Sequence, residues 1–313
     1  MTARILTVTL NPALDLSARV GQMLAGPKLR LSAPHYEPGG GGVNVARAIY
    51  ALGGDVLAWV AVGGASGAQH LGLLQGQGVA VQPFAAPGET RQSWAITDDA
   101  GQQFRLQLPG ADWPAALGPQ ALADILAHAP GLVVLSGSQP PGLAADFAQT
   151  LAAQLGPERL IVDTSGPALL QLVRGPRPAG CPAVLRLDQA EAEGLAGKPL
   201  ATVAETAAFA RALVAQGVAV RVCIARGADG SVLADEASAH HCRPPAVPVQ
   251  SKVGAGDSFT GGFTLALAQG QTAPEALRLG TAAAAAAVMT PGTALCRAED
   301  VARLLPECDL AAL

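Results

Sequence analysis

Val253-Gly254-Ala255-Gly256-Asp257 reads as a glycine pair opening a helix, with a carboxylate in its first turn. Glycines let backbone N–H groups close on an anion, and a helix N-terminus adds partial positive charge. A carboxylate beside a bound phosphate has no attraction to gain there, so Asp257 is the candidate to accept a proton from an attacking hydroxyl. The pattern points to phosphoryl transfer onto an alcohol. A glycine turn with Asp257 merely capping a helix is the competing reading, and other segments must decide between them.

Upstream of this turn, short β-rich runs recur at Ile5 to Leu10, Val56 to Val62, Leu132 to Leu135, Leu160 to Val162, Val184 to Leu187, Val222 to Ala225 and Ser231 to Leu233. Helix-like segments lie between and after them, at Val43 to Leu52, Pro119 to His128, Ala144 to Leu155, Val203 to Gln216 and through much of Asp257 to Met289. Such alternation predicts an α/β fold with a largely parallel central sheet flanked by helices, and ligands at the carboxyl ends of its strands. One stretch breaks the rhythm. In Thr90 to Leu108, Trp94 and Ile96 share a face, Asp98-Asp99-Ala100-Gly101 turns, and Phe104, Leu106 and Leu108 continue the apolar side, leaving Gln103, Arg105 and Gln107 opposite. Together with Leu16 to Tyr36, this predicts a small antiparallel β flap, residues 15–37 and 89–109, on a single domain spanning 1–313. A one-sided flap must cover its own active site or the flap of a second subunit, so a homodimer is expected.

Composition narrows the function classes. The chain has 313 residues, enough for one large α/β domain, and shows no internal repeat or linker. Half the residues are apolar, yet no run suits a membrane span, and Ala282 to Ala287 reads as a close-packed buried helix. The apolar run within Met1 to Leu10 reads as a first strand and not as a signal peptide. The five cysteines form no CxxC pair, which argues against a disulfide framework or zinc site and fits a reducing cytoplasm. A net charge of −4 without basic runs predicts no nucleic-acid surface. The five histidines lack metal-ligand spacing, and surface or loop positions are expected for them. Small molecules are the expected partners.

A second glycine-rich segment is Glu37-Pro38-Gly39-Gly40-Gly41-Gly42-Val43-Asn44-Val45-Ala46-Arg47-Ala48. Four glycines before a helix would cost roughly 1 kcal/mol each at ordinary positions, and close approach by a ligand would account for them. Asn44 carries a donor and an acceptor that could hold a sugar hydroxyl; a flexible loop with Asn44 as helix cap is the alternative. Neither glycine segment is a GxxxxGK[ST] loop or a GxGxxG fingerprint, so any nucleotide is bound in another way and an oxidoreductase is disfavoured.

The segments Thr9-Leu10-Asn11-Pro12-Ala13-Leu14-Asp15, Lys28-Leu29-Arg30, Pro38 through Arg47, Ser136-Gly137-Ser138-Gln139-Pro140-Pro141-Gly142 and Val253 through Asp257 resemble, in order and spacing, the PfkB sugar kinases of the ribokinase-like fold. Lys-Leu-Arg followed by Glu-Pro-Gly-Gly-Gly-Gly is similar to the family's minor 6-phosphofructokinase branch; its fructose-1-phosphate and tagatose-6-phosphate kinases usually carry Lys where this chain has Gly41. The resemblance implies ATP-dependent phosphorylation of a ketohexose phosphate, with fructose 6-phosphate as the expected acceptor. Fructose 1-phosphate and tagatose 6-phosphate are the near alternatives, and a sugar-phosphate-binding regulator with impaired catalysis is the distant one. It also implies residue roles. Asp257 is the base, with Gly254, Ala255 and Gly256 forming an anion hole. Asp15, Gly39, Gly40 and Asn44 bind sugar hydroxyls. Arg91 and Ser138 hold the phosphate already on the sugar, Lys28 arriving from a neighbouring subunit's flap, with Arg105 and Arg30 as weaker candidates. Ala225-Arg226-Gly227-Ala228-Asp229-Gly230 matches the family's nucleotide loop, a simple β-turn being the alternative. Ser251, Val253, Ala287, Thr290 and Gly292 occupy the places of a monovalent-cation site, expected to take K⁺. Where relatives show Lys-Pro-Asn-x-x-Glu, this chain has Arg186-Leu187-Asp188-Gln189-Ala190-Glu191. Glu191 keeps the carboxylate that would organise Mg²⁺ through water, while Arg186 and Asp188 change the groups near the nucleotide phosphates.

Overall fold

The computed structural model describes residues 4–175 and 180–313. The elements run β1 (Ile5–Thr9), β2 (Ala13–Val20), β3 (His35–Gly39), α1 (Gly41–Ala51), β4 (Val56–Val62), α2 (Gly64–Gly76), β5 (Ala80–Ala85), β6 (Arg91–Asp98), β7 (Gln103–Gln107) and α3 (Leu117–Ala127). They continue through β8 (Val133–Ser136), α4 (Phe147–Leu155), β9 (Leu160–Asp163), α5 (Gly166–Arg174), β10 (Val184–Leu187), α6 (Gln189–Ala196), α7 (Val203–Ala215), β11 (Arg221–Ala225), β12 (Ser231–Ala234), β13 (Ala239–Arg243), α8 (Ala255–Ala268), α9 (Ala273–Val288), α10 (Ala298–Leu304) and β14 (Asp309–Ala312).

The main sheet has the order β14-β13-β12-β11-β10-β9-β8-β1-β4-β5, parallel from β11 to β5 and antiparallel at the β12–β14 edge. Successive side chains of a strand serve opposite faces. Thus Leu6, Val133 and Leu185 join a core with α3, α4 and α7, whereas Ile5, Val134 and Val184 join a second core with α1, α8 and α9. Trp59 stacks on Phe84 at 4.8 Å between ring centroids, and Trp113 closes the cluster at 5.9 Å from Phe84.

The alanine tract behaves as its composition predicts: it lies within α9, and Ala282, Ala283, Ala285, Ala286 and Ala287 are buried. Small residues let α8 come close on two sides. A side chain at Gly261 would reach the Ala48 Cβ of α1 at 2.9 Å, and one at Gly262 the Ala283 Cβ of α9 at 3.0 Å. The helix that carries Asp257 is therefore wedged between the helix that carries Asn44 and the alanine helix.

The flap is a four-stranded sheet, β3-β2-β6-β7. The β2–β3 and β6–β7 pairs are antiparallel, as the alternating sequence predicts, while the central β2–β6 pair is parallel because β3, α1, β4, α2 and β5 intervene between those strands. In register, Leu16, Trp94 and Leu106 form one row, and Asp15, Ser93 and Gln107 lie on the opposite side.

Candidate active site

The flap, the starts of α1 and α8 and the loop after α9 enclose a cavity of about 210 Å³. Ala13, Asp15, Glu37, Gly40, Gly41, Asn44, Arg91, Ser93, Arg105, Gln107, Val253, Asp257 and Thr293 are among its lining residues. The flap's polar face thus looks into the cavity, while Leu106 and Leu108 on its other side are about half exposed.

Gly254 caps α8 in the left-handed conformation, φ 78°. Ser258 is the first residue whose N–H reaches an acceptor of the helix, the Gly254 carbonyl at 2.9 Å, so the amides of Ala255, Gly256 and Asp257 belong to the unsatisfied first turn. A side chain at Gly256 would come within 2.8 Å of Arg186 Nη2, which places that guanidinium directly under the turn. Asp257 accepts a hydrogen bond from Asn44 Nδ2 at 3.0 Å. Burial, reinforced by the nearby Asp163 carboxylate, pushes its carboxyl up to about 7, against the pull of Asn44, Arg186 and Arg47. Across the cavity Asp15 is pushed up to about 6, again by burial, with Arg91 opposing. The site therefore holds one carboxyl raised to about 7 at a helix start and a second, raised to about 6, lining the same cavity.

The four glycines have a different cause from the one expected. Protein atoms fill the space a side chain would need: Asp15 Oδ2 at 2.1 Å for Gly39, Thr9 Cγ2 at 2.7 Å for Gly40, Ser136 Oγ at 2.4 Å for Gly41 and the Val8 carbonyl at 2.5 Å for Gly42. The run seats α1 on the ends of β1 and β8, and Gly40, at φ 117°, makes the turn. Gly40 and Gly41 still line the cavity. His70 also corrects the sequence expectation: it is fully buried in α2, with Nε2 3.0 Å from the Gly39 carbonyl. A carbonyl only accepts, so Nε2 carries the proton, and burial keeps the ring neutral by lowering its pKa.

Arg91 and Ser138 come together through Asn11: Arg91 Nε and Nη2 donate to the Asn11 carbonyl, each at 3.3 Å, and Asn11 Nδ2 donates to Ser138 Oγ at 3.1 Å. Lys28 and Arg30 are exposed and do not line the cavity of their own chain. On the other side, Ala225 ends β11, and Arg226 through Gly230 form a tight turn with Gly227–Asp229 as one 3-10 turn. The Arg226 guanidinium points inward, donating to the carbonyls of Leu200 (2.8 Å) and Ala201 (3.0 Å) and to Thr206 Oγ1. Gly230 is required because a side chain would strike the Cys242 carbonyl at 2.0 Å. Of this loop, the Arg226 side chain is engaged in structure and does not face the cleft.

Asp188 and Glu191 form a capping box at the start of α6: Glu191 N–H donates to Asp188 Oδ1 at 2.8 Å, and Asp188 N–H to Glu191 Oε2 at 2.9 Å. Each carboxylate has a second oxygen. Burial raises Glu191 above the usual carboxylate range, and Asp188 and Asp163 add to it. Concentrated negative charge of this kind suits a hard cation held through water, although among the described residues no group of three or more His, Cys, Asp or Glu is arranged as a direct metal shell. Ser251 Oγ donates to the Gly292 carbonyl at 2.6 Å and accepts from Val253 N–H at 3.1 Å, while Thr290 Oγ1 lies 2.7 Å from the carbonyls of Ala287 and Ala294. The five positions expected of a cation site thus converge as two neighbouring hydrogen-bonded groups.

Residues absent from the sequence-based set also line or brace the site. Arg47 donates to Asn44 Oδ1 at 3.1 Å and to Glu37 Oε1 at 3.3 Å, and Glu37 Oε2 accepts from Thr293 Oγ1. Asp163 pairs with Arg186 at 3.5 Å and accepts from Thr260 Oγ1 at 3.0 Å. The Asn44/Arg47 spacing of i,i+3 on a helix was a usable signal. The contacts of Glu37 with Thr293 and of Asp163 with Thr260 join segments far apart in the chain and left none.

A buried carboxylate at a helix N-terminus, at the carboxyl edge of a parallel sheet and beneath a polar flap, defines a phosphotransferase acting on a small hydroxylated substrate. Residues 9–300 match the model of the pfkB family carbohydrate kinases. The chain is 37% identical over 305 residues to the ATP-dependent 6-phosphofructokinase isozyme 2 of Escherichia coli K12, covering 96% of this chain and 97% of the relative. It is also 37% identical over 292 residues to the 1-phosphofructokinase of Rhodobacter capsulatus, covering 90% and 89% respectively. The crystal structure of Escherichia coli phosphofructokinase-2 in complex with fructose-6-phosphate superposes with a TM-score of 0.87 at 35% identity, over 97% of this chain and 99% of that one. The chain belongs to the pfkB family of carbohydrate kinases, and its fold is ribokinase-like α/β.

Proposed function

We propose that this kinase transfers the γ-phosphoryl group of ATP to the 1-hydroxyl of fructose 6-phosphate, giving fructose 1,6-bisphosphate. The observation that carries the reading is the cavity itself: Asp257 at the α8 start, the arginines Arg91 and Arg105, and Asp15 and Asn44 all line the same space. A proton acceptor, an amide-lined anion site and cationic groups for a second phosphate match an acceptor that is already phosphorylated. Asp257 takes the hydroxyl proton as the alcohol attacks in line, and the amides of Gly254, Ala255 and Gly256 face the charge that develops, without a covalent intermediate. Asp15, Asn44, Gly39 and Gly40 orient the sugar. Arg91 and Ser138, bridged by Asn11, hold its phosphate, and Lys28 reaches it from a second subunit.

ATP is the phosphoryl donor, and Mg²⁺ bound with it would supply charge neutralisation on the phosphates. Glu191 would hold the metal through water, Arg186 would meet the phosphates, and the backbone of residues 225–230 would border the nucleotide. The Ser251, Val253, Ala287, Thr290 and Gly292 cluster would hold K⁺. Support for a homodimer comes from the flap, where Leu24, Leu31, Leu106 and Leu108 are exposed. The free thiols of Cys223, Cys242, Cys296 and Cys308 suit a cytoplasmic enzyme.

The test is a comparison of kcat/KM for fructose 6-phosphate, fructose 1-phosphate and tagatose 6-phosphate with ATP and Mg²⁺. A clear preference for fructose 6-phosphate is expected; a preference for fructose 1-phosphate would transfer the assignment to the 1-phosphofructokinase activity named for the Rhodobacter relative.

A further inference from the structure

Asn44 has two chemically opposite ends of nearly equal size, and only one of them can assist a proton acceptor. In the site its Nδ2 donates to Asp257 Oδ2 at 3.0 Å. We propose that Arg47 is the positioning residue that selects this orientation, and so sets both the direction and the basicity of the Asp257 carboxylate.

Arg47 lies one turn after Asn44 on α1, with its side chain only 13% exposed. A guanidinium can only donate, so the amide end that faces Nη1 at 3.1 Å has to be Oδ1, which turns Nδ2 toward Asp257. A reversed amide would present its NH₂ to the guanidinium and its oxygen to the carboxylate, two mismatches at once. Arg47 is itself held: Nη1 reaches the Pro38 carbonyl at 3.5 Å, and Nη2 meets Glu37 Oε1 at 3.3 Å. Glu37 belongs to flap strand β3 and also accepts from Thr293 in the loop after α9. The brace therefore spans both sides of the cavity, with Glu37 and Thr293 on its wall and Arg47 behind it. The charged groups facing Asp257 are Asp163 from β9, Arg186 from β10 and Arg47 from α1, with Asp15, Glu37, Arg91 and Arg105 of the flap lining the shared cavity.

The inference rests on Asp257 being the proton acceptor, so Asp257→Asn is measured beside Arg47→Met, Arg47→Lys and Glu37→Gln, each for kcat and KM across the acid limb of the pH profile. Arg47→Met is expected to lower kcat about 10- to 100-fold, the loss of one charge-assisted hydrogen bond, with a smaller change in KM. Its acid limb moves about one unit alkaline, because the ionised carboxylate loses both a positive neighbour and a fixed donor. Arg47→Lys recovers part of both effects. Glu37→Gln moves the limb the other way, since the Arg47 charge is no longer offset. Limbs that coincide with the parent's, or a loss confined to KM, overturn the proposal. If Arg47→Met does not fold, the Glu37→Gln profile decides alone, an unmoved limb being the negative result. Normal turnover in Asp257→Asn would instead remove the assignment of the base, whereas an inactive Asp257→Asn with unmoved Arg47 and Glu37 profiles would remove this inference only.

Discussion

In the proposed mechanism Asp257 is the base, and the burial that tunes it for that role carries a cost to stability. Its folded pKa, about 7, stands well above the ordinary aspartate value of 3.8. The catalytic consequence is that the base is protonated below neutrality, so kcat is expected to fall as pH drops through about 7, and Asp257→Asn should lose on the order of 10²- to 10⁴-fold or more at any pH. Calorimetry should still detect sugar-phosphate binding to that variant. The stability consequence has the opposite sense. The folded chain binds this proton more tightly than the unfolded chain, so the contribution is fully present below pH about 4 and is lost as pH rises through about 7. Asp257→Asn should accordingly be more stable than the parent at pH 8, by on the order of 2–4 kcal/mol, with the difference vanishing near pH 4. Thermal melts of both proteins across that range check it. Asp15, raised to about 6, adds a smaller slope of the same sign.

Among the elements, α7 and the β11–β12 turn are locked by a single guanidinium. Arg226→Met leaves the carbonyls of Leu200 and Ala201 and the Thr206 hydroxyl without their donor, and is expected to cost about 3 kcal/mol of stability in urea unfolding, with little change in the KM for ATP. At the start of α6, Asp188→Ala should cost about 1 kcal/mol, whereas Asp188→Asn, which also caps, should stay within about 0.5 kcal/mol of the parent. Both comparisons separate a structural from a nucleotide-facing role. These elements also mark how far the sequence can be read. The buried parallel strands were legible because each is a short apolar run between turns, and the Val253–Asp257 turn because its glycines and carboxylate are contiguous. Helix α2 was not. Gly64, Gly67, Gly72 and Gly76 dilute its apolar stripe, and its N-terminus is capped by Glu89, which accepts from Ala65 N–H and Ser66 N–H across the fold. Strand β5 was hidden by Pro83, tolerated because β5 is the edge of the sheet. The polar brace of Glu37, Arg47 and Thr293 escaped for the same reason: its members meet only once the chain has folded.

At the scale of the molecule, the proposed homodimer would form through the flap. Its cavity side is polar and its outer side carries Leu106 and Leu108, so Leu106→Lys should weaken a flap-mediated dimer by 10-fold or more in its dissociation constant, measured by light scattering over a dilution series. The same substitution should reduce kcat/KM if Lys28 works across the interface, and a variant that remains dimeric at full activity would show that the outer face is not the contact. The three tryptophans are divided by this architecture: Trp59 and Trp113 are buried beside Phe84 in the main domain, and Trp94 sits alone on the flap, in the row with Leu16 and Leu106. The enzyme thus carries its own optical probe. With Trp59 and Trp113 replaced by Phe, the emission maximum of Trp94 would shift to the red whenever its neighbours give way to water, reporting the state of the flap without any added dye.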